Sequence, residues 1–277
     1  MRPATHKSYK TSARSWHPYI ADLMIEQISK QHVERFVSDR RGKVMDGTIR
    51  NDLAFLASLL RFADGIGHGP KVHPVKAYDK RSLETPEVRV RWLREDQLVE
   101  LKSKITNPTR WLIVLFGLEA GLRRSEILNL TVSQVDMDEN YILLKGTDTK
   151  SKRGRRVPIS KKLSSALRAH LEAHQKLKPG DWLIVNPDTK KPYEGVRPWW
   201  PNALRAAKIM DFTFHDTRHH FATSYVKKGG RQEALQRHLG HKTMAMTGRY
   251  AHLAESDAEL EFRRLDDPKR RIKGGNK

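Results

Sequence analysis

Ile49, Leu53, Leu56, Leu60 and Ala63 recur at spacings of four, three, four and three residues, which places them on one face of an α-helix. A β-strand, whose side chains alternate with a period of two, cannot gather this set on one side. Phe55, Leu59 and Phe62 widen the face, Thr48 is the expected N-cap, and the stretch Gly65 to Pro70 is the expected stop. A shorter helix is expected after Ser29, with Val33, Phe36 and Val37 turned inward. A third helical segment is expected over 18–27, carrying Ile20, Leu23, Met24 and Ile25. The first part of the chain therefore reads as a small helical bundle.

The stretch from His73 to Arg91 is polar, charged and poor in large apolar groups. Residues 76–91 read as a linker between a first domain over 1–75 and a second over 92–265, with a basic tail over 266–277. Helices are expected over 95–104 and 109–120, the latter ended by Gly121. The periodicity then changes. Residues 134–137, 141–145 and 155–159 look like short strands, with Asp138-Glu139-Asn140 supplying the first turn and a long basic segment, 146–154, the second. Helical patterning returns over 161–174, 197–208, 215–228, 231–238 and 255–265. The expected fold class is mainly α with a small antiparallel β-sheet.

Charge narrows the partner. The chain has 277 residues, with 53 Lys and Arg against 32 Asp and Glu, for a formal charge of +21 and a pI near 10.2. Such a field favours a polyanion. The excess is spread out, +6 over residues 1–90 and +15 over the rest. There is no cysteine, which excludes disulfides, cysteine zinc sites and thiol chemistry. The longest apolar run, 111–118, is too short to span a bilayer, and no isolated basic amphipathic helix suggests membrane-surface binding. A soluble, cytoplasmic protein is expected, with no membrane partner.

Candidate chemistry lies in the second domain. It comprises Arg123 in Gly-Leu-Arg-Arg-Ser-Glu, Lys150 in the basic turn, His215 and Arg218 in His-Asp-Thr-Arg-His-His, His241 in Leu-Gly-His, and Tyr250 in Arg-Tyr-Ala-His. Splitting a phosphodiester requires neutralising an anion, supplying a nucleophile and protonating an alkoxide. Catalysis of phosphoryl transfer is mostly positioning and charge stabilisation. Two guanidiniums serve that end, because each donates hydrogen bonds in a planar fork matched to phosphate oxygens. No carboxylate cluster looks like a Mg²⁺ site, and no cofactor is expected. Arg123 sits between a glycine stop and a helix expected to be capped by Ser125, and Glu126 is placed to hold it. His215 and Arg218 share a helix face near a helix start. His215 and His219 at i, i+4 also have zinc-ligand spacing, but lack a third ligand of comparable quality. Lys152 rivals Lys150 within the lysine-rich turn.

In this order and at these spacings, the six residues make the chain resemble the tyrosine recombinases, the phage integrase family, over nearly its whole length. The run from Leu239 to His252, ending Met-Thr-Gly-Arg-Tyr-Ala-His, is the sharpest match. The departures are Thr217 and His220 where Leu and Thr are commoner, Gly248 two residues before the tyrosine, and His73-Pro74 where Asn-Pro is frequent. The resemblance implies a helical core-binding domain and a mixed α/β tyrosine-recombinase catalytic domain that clamp duplex DNA.

It implies that Tyr250 attacks phosphorus to give a 3′-phosphotyrosyl bond, with no metal or ATP. Arg123, Arg218 and His241 would stabilise the phosphorane. His215 would contact the phosphate and accept the tyrosyl proton, and Lys150 would protonate the leaving 5′-oxygen, with Glu126 in support. The implied partners are double-stranded DNA at core-type attachment sites, a homotetramer on synapsed DNA, and host or phage DNA-bending proteins. The C-terminal segment would dock on a neighbouring protomer. The chain leaves no room for an arm-binding domain before the bundle, so it either binds core sites alone or is a truncated form. Rival readings are a chromosome-dimer resolvase, a type IB topoisomerase and a non-catalytic DNA-binding regulator.

Overall fold

The computed structural model describes residues 3–84, 90–146, 154–186, 189, 191–193 and 195–253. The chain divides into two compact units, Met1–Val88 and Arg89–Lys277. Lys150, Lys152, the expected helix over 255–265 and the basic tail over 266–277 lie outside the described residues.

The first unit is helical: α1 (Pro3–Ile20), α2 (Lys30–Arg40), α3 (Asp46–Gly65) and the single turn α4 (Pro74–Ala77). The repeat on α3 does what its spacing predicts, since Ile49, Leu53, Leu56, Leu60 and Ala63 are all buried. Each large aliphatic side chain contributes roughly 2 kcal/mol relative to exposure. The helix begins two residues before Thr48, because Asp46 places an acidic group in the first turn, where the helix dipole favours it. Val33, Phe36 and Val37 of α2 face inward as expected.

The expected helix over 18–27 is not formed as such. The helix is α1, which ends at Ile20, and only a 3₁₀ turn spans Ile25–Gln27. Residues 3–17 are too polar to show a period. Trp16 anchors them: it is fully buried, stacks on Phe36 at 3.6 Å, and donates its indole N–H to the Asp52 carbonyl at 2.9 Å. Part of the expected linker also packs here, since Leu83 is buried in the same core as Val75 of the first domain.

The second unit opens with α5 (Glu95–Lys104) and α6 (Pro108–Ala120). Leu112 to Leu118 are buried without interruption, so α6 is apolar all round and runs through the core rather than along the surface. The short helix α7 (Arg124–Leu128) follows, then a sheet of β1 (Val135–Asp136), β2 (Tyr141–Leu144) and β3 (Arg155–Pro158). The strands pair antiparallel in chain order, with Ile142 opposite Val135 on one side and Val157 on the other.

The remaining elements are α8 (Lys161–Ala173), α9 (Trp200–Ala206), α10 (Asp216–Lys227), α11 (Gln232–Leu239) and α12 (Ala245–Gly248). Helix α9 starts three residues later than expected. Pro201 lies in its first turn, where a missing N–H is harmless and a fixed φ suits the helix. Helices α6, α10 and α11, with β3, position the site.

Candidate active site

Two helices end pointing at the same place. Gly121 closes α6 at φ 63° and Gly240 closes α11 at φ 64°, both in the left-handed region where only glycine is unstrained. Arg218, in the first turn of α10, reaches across both ends. Its Nη1 donates to the Gly121 carbonyl and its Nη2 to the Leu239 carbonyl, each at 2.6 Å. Carbonyl ends of helices carry partial negative charge, so a guanidinium there is favoured. Arg218 is only 2% exposed. Burial and the nearby Arg123 charge lower its pKa to about 9, against the opposing pull of Glu126. The guanidinium still holds N–H groups beyond these two bonds.

Arg123 is itself the N-cap of α7, which corrects the expectation for Ser125. The reason is Glu126, whose carboxylate accepts the Arg123 backbone N–H at 2.9 Å and its Nη1 at 2.8 Å. Nη2 of Arg123 lies 3.4 Å from the Gly240 carbonyl, so both arginines meet at the end of α11. Burial pushes the Glu126 carboxyl up, but Arg155 and Arg123 outweigh it and hold the group below the usual carboxylate range.

Arg155 is a third arginine, missed at the level of sequence. It grips both Glu126 oxygens, at 3.2 and 2.9 Å, and donates Nε to the His238 carbonyl at 2.7 Å. The signal was present in the strand: Arg155 shares a face with buried Val157, and an arginine at an inward position needs a partner.

The Leu-Gly-His turn carries His241 beside this cluster. Its Nδ1 pairs with Thr247 Oγ1 at 2.9 Å. Desolvation, then Arg218, Arg123 and Arg249, lower its pKa to about 3, so the ring is neutral while no anion is present. His215 is the N-cap of α10 and faces solvent, yet desolvation and Arg218 lower its pKa too. Asp216 fixes that helix start by accepting the Thr213 backbone N–H at 2.6 Å and its hydroxyl at 2.8 Å.

Tyr250 packs against Ala222, Val226, Leu235 and Leu239, and is 1% exposed. Burial raises its phenolic pKa, while Arg249 and Arg218 oppose the rise. The phenol oxygen and His219 Nδ1 are in hydrogen-bond contact, 2.5 Å apart. The partner is thus the histidine after Arg218, not His215. Sequence spacing offered His219 only as half of a zinc pair. Among the described residues, no three His, Asp or Glu side chains gather to hold a metal.

The two departures beside Arg218 are accommodated. Thr217 is buried and donates to the Phe214 carbonyl at 2.8 Å, and His220 Nδ1 accepts the Leu93 N–H at 3.2 Å. Five of the six expected residues (Arg123, His215, Arg218, His241 and Tyr250) come together, and the sixth, Lys150, lies outside the described residues. A cleft of 970 Å³ opens beside His241, lined by Arg155, Arg156, Arg237 and Lys242 among others.

A helical domain with a small antiparallel sheet, in which arginines, histidines and a buried tyrosine cluster around the end of one helix, defines a class suited to phosphodiester chemistry. Residues 91–257 match the model of the phage integrase family, and the chain belongs to that family. It is 28% identical over 230 residues to the integrase of Salmonella phage P22, covering 77% of this chain and 56% of that protein. It is 34% identical over 164 residues to the tyrosine recombinase XerA of Thermococcus kodakarensis, covering 57% of this chain and 56% of that one. The fold is also that of the Tn1549 transposon integrase, solved in complex with a circular intermediate DNA. The TM-score is 0.77 at 17% identity, over 96% of this chain and 95% of that one. The chain spans less than two thirds of the length of the phage integrase it matches.

Proposed function

We propose that the chain is a site-specific DNA recombinase, the integrase of a phage or other mobile element, that cleaves and rejoins duplex DNA through a 3′-phosphotyrosyl intermediate. The observation that carries this reading is the convergence of Arg123, Arg218 and His241 on the end of α11, with the Tyr250 phenol buried against the same helix. Two guanidiniums and an imidazole offer donors to a phosphate in the pocket, and the tyrosine supplies an oxygen nucleophile. His215 contributes a further contact from the solvent side. Lys150 is the general acid for the leaving 5′-oxygen. Retaining bond energy in a phosphotyrosine allows a 5′-hydroxyl to reverse the step without ATP. The net charge of +21 and the basic cleft suit double-stranded DNA. Two protomers on each core site, four in synapsis and a cytoplasmic setting complete the reading.

The test is a core-site duplex nicked so that cleavage traps the protein. The wild-type chain is expected to form a gel-stable covalent adduct, and Tyr250→Phe is expected to bind the site but form none. An adduct with the phenylalanine variant would refute the assignment. Lys150→Ala should regain cleavage on a 5′-bridging phosphorothioate, whose thiolate leaves without a proton.

A further inference from the structure

We infer that His219 is a catalytic residue that takes the phenolic proton of Tyr250 through Nδ1 as the tyrosyl oxygen attacks phosphorus. This rests on the reading of Tyr250 as the nucleophile.

The geometry carries it. The phenol and Nδ1 are 2.5 Å apart, and the two residues are 1% and 7% exposed, so bulk water has little access to the hydroxyl. A buried neutral phenol is a weak nucleophile, and its proton must go somewhere as the oxygen bonds to phosphorus. Two neighbouring groups are engaged elsewhere. One Asp216 oxygen accepts two bonds from Thr213, and His241 Nδ1 is paired with Thr247. His215 stands with its ring centroid 5.0 Å from that of His219, on the exposed side. Among the described residues, His219 is the one in hydrogen-bond contact with the reacting oxygen.

The electrostatics agree with a base armed by its substrate. Desolvation, then His215, depress the His219 pKa to about 4, so the ring is neutral and holds a free lone pair at neutral pH. The groups facing it are His215, Asp216 and Arg218 on its own helix, Arg249 and Tyr250 from the segment after α12, and His241 from the turn after α11. Most of these are cationic or neutral. A phosphate entering among them supplies the missing negative charge and raises the basicity of His219 when the proton has to move. The step balances. The phenolic O–H bond breaks, Nδ1 gains the proton, the O–P bond forms, the P–O5′ bond breaks, and a separate acid protonates the 5′-oxygen. On rejoining, the imidazolium returns the proton to the departing phenolate.

Single-turnover adduct formation on the nicked duplex, measured from pH 5 to 9, tests this with His219→Ala, His219→Asn and Tyr250→Phe. Site binding and melting temperature are followed in parallel. His219→Asn leaves an acceptor near the Nδ1 position, so the tyrosine stays docked, but it cannot take a proton. Both His219 variants are expected to bind DNA like the wild type and to cleave about 10² to 10⁴ times more slowly. Their rates should rise in proportion to hydroxide, without the acid limb of the wild type. Imidazole added to His219→Ala should restore cleavage in proportion to its neutral fraction. If either variant cleaves at the wild-type rate and pH profile, the inference is overturned while the recombinase reading stands. Slow cleavage that neither imidazole nor pH alters would reduce His219 to packing and overturn it equally. Absence of a wild-type adduct, or an adduct with Tyr250→Phe, would instead sink the underlying reading.

Discussion

Glu126 and Arg155 form a two-pronged ion pair sealed from solvent, at 3.2 and 2.9 Å, with side chains 1% and 8% exposed. The same carboxylate caps α7 and holds Arg123, so one acidic residue orients two cations of opposite origin, one from a helix start and one from a strand.

Glu126→Gln is therefore expected to destabilise the fold by about 3 kcal/mol at neutral pH, because it strands buried positive charge. Glu126 has a folded pKa below its unfolded value, so its contribution is present above the unfolded pKa near ~4.3 and is lost as pH falls through the folded one. The gap between wild type and variant in urea unfolding should be full at pH 7 and shrink below pH ~4. A gap that does not change with pH would contradict this role.

Arg218→Lys should cost at least about a hundredfold in single-turnover cleavage, since an ammonium cannot span two carbonyls and still present a fork to phosphate. The measurement is adduct yield against time under saturating protein. Near-normal cleavage would remove Arg218 from the phosphate site.

The two glycine stops should differ in their tolerance of a methyl group. A Cβ at Gly121 would lie 2.6 Å from the Phe221 ring and 2.9 Å from Leu239, whereas at Gly240 it would meet an Arg155 nitrogen at 3.2 Å. Both positions also carry the left-handed penalty of about 1 kcal/mol. Gly121→Ala is expected to lower the melting temperature more than Gly240→Ala. Gly240→Ala should reduce cleavage more than its small stability loss implies, by displacing the His241 turn. Equal melting temperatures would contradict the packing argument.

Three sheltered histidines set an acid limit. His219 and His238 have pKa values lowered to about 4, and that of His241 is lowered to about 3, each mainly by desolvation. Between these values and the unfolded ~6.5, the unfolded chain binds more protons, so stability is full above pH ~6.5 and falls progressively in acid. Proton NMR should show these three rings untitrated at pH 5 in the free protein. Ordinary titration near 6.5 would show that the cluster is not formed in solution.

DNA binding should weaken steeply with salt, with a log–log slope of about −0.9 for each phosphate contact. Cleavage should persist in EDTA. A flat salt response or loss of cleavage on chelation would contradict a site built from side-chain cations.

Much of this was legible in the sequence where a pattern repeats or a residue type is rare. The α3 face, the three strands, the Gly121 stop and the grouping of Arg123, His215, Arg218, His241 and Tyr250 follow from local spacing and motif order. What escaped depends on contacts distant in sequence. Trp16 is one aromatic in a polar stretch, and its place is set by Phe36 and Asp52. Arg155, the first residue of its strand, looks like one more cation beside the basic turn until Glu126, 29 residues away, comes to meet it. His219 differs from its histidine neighbours only because Tyr250 packs upon it.

The carbonyls that Arg218 ties together belong to Gly121 and Leu239, far apart in the domain's sequence. One side chain thus closes a loop of more than a hundred residues, and its closure requires that α6, α10 and α11 all be in register. Partial opening of any of the three releases the guanidinium and scatters the pocket. Native proteins open locally at lower free energy than they unfold globally, and on the proposed function such an opening would leave the chain inert toward DNA. On the proposed function, the arrangement would make strand scission an all-or-none property of the folded domain, so a nascent or frayed molecule would carry Tyr250 without the cations needed to use it.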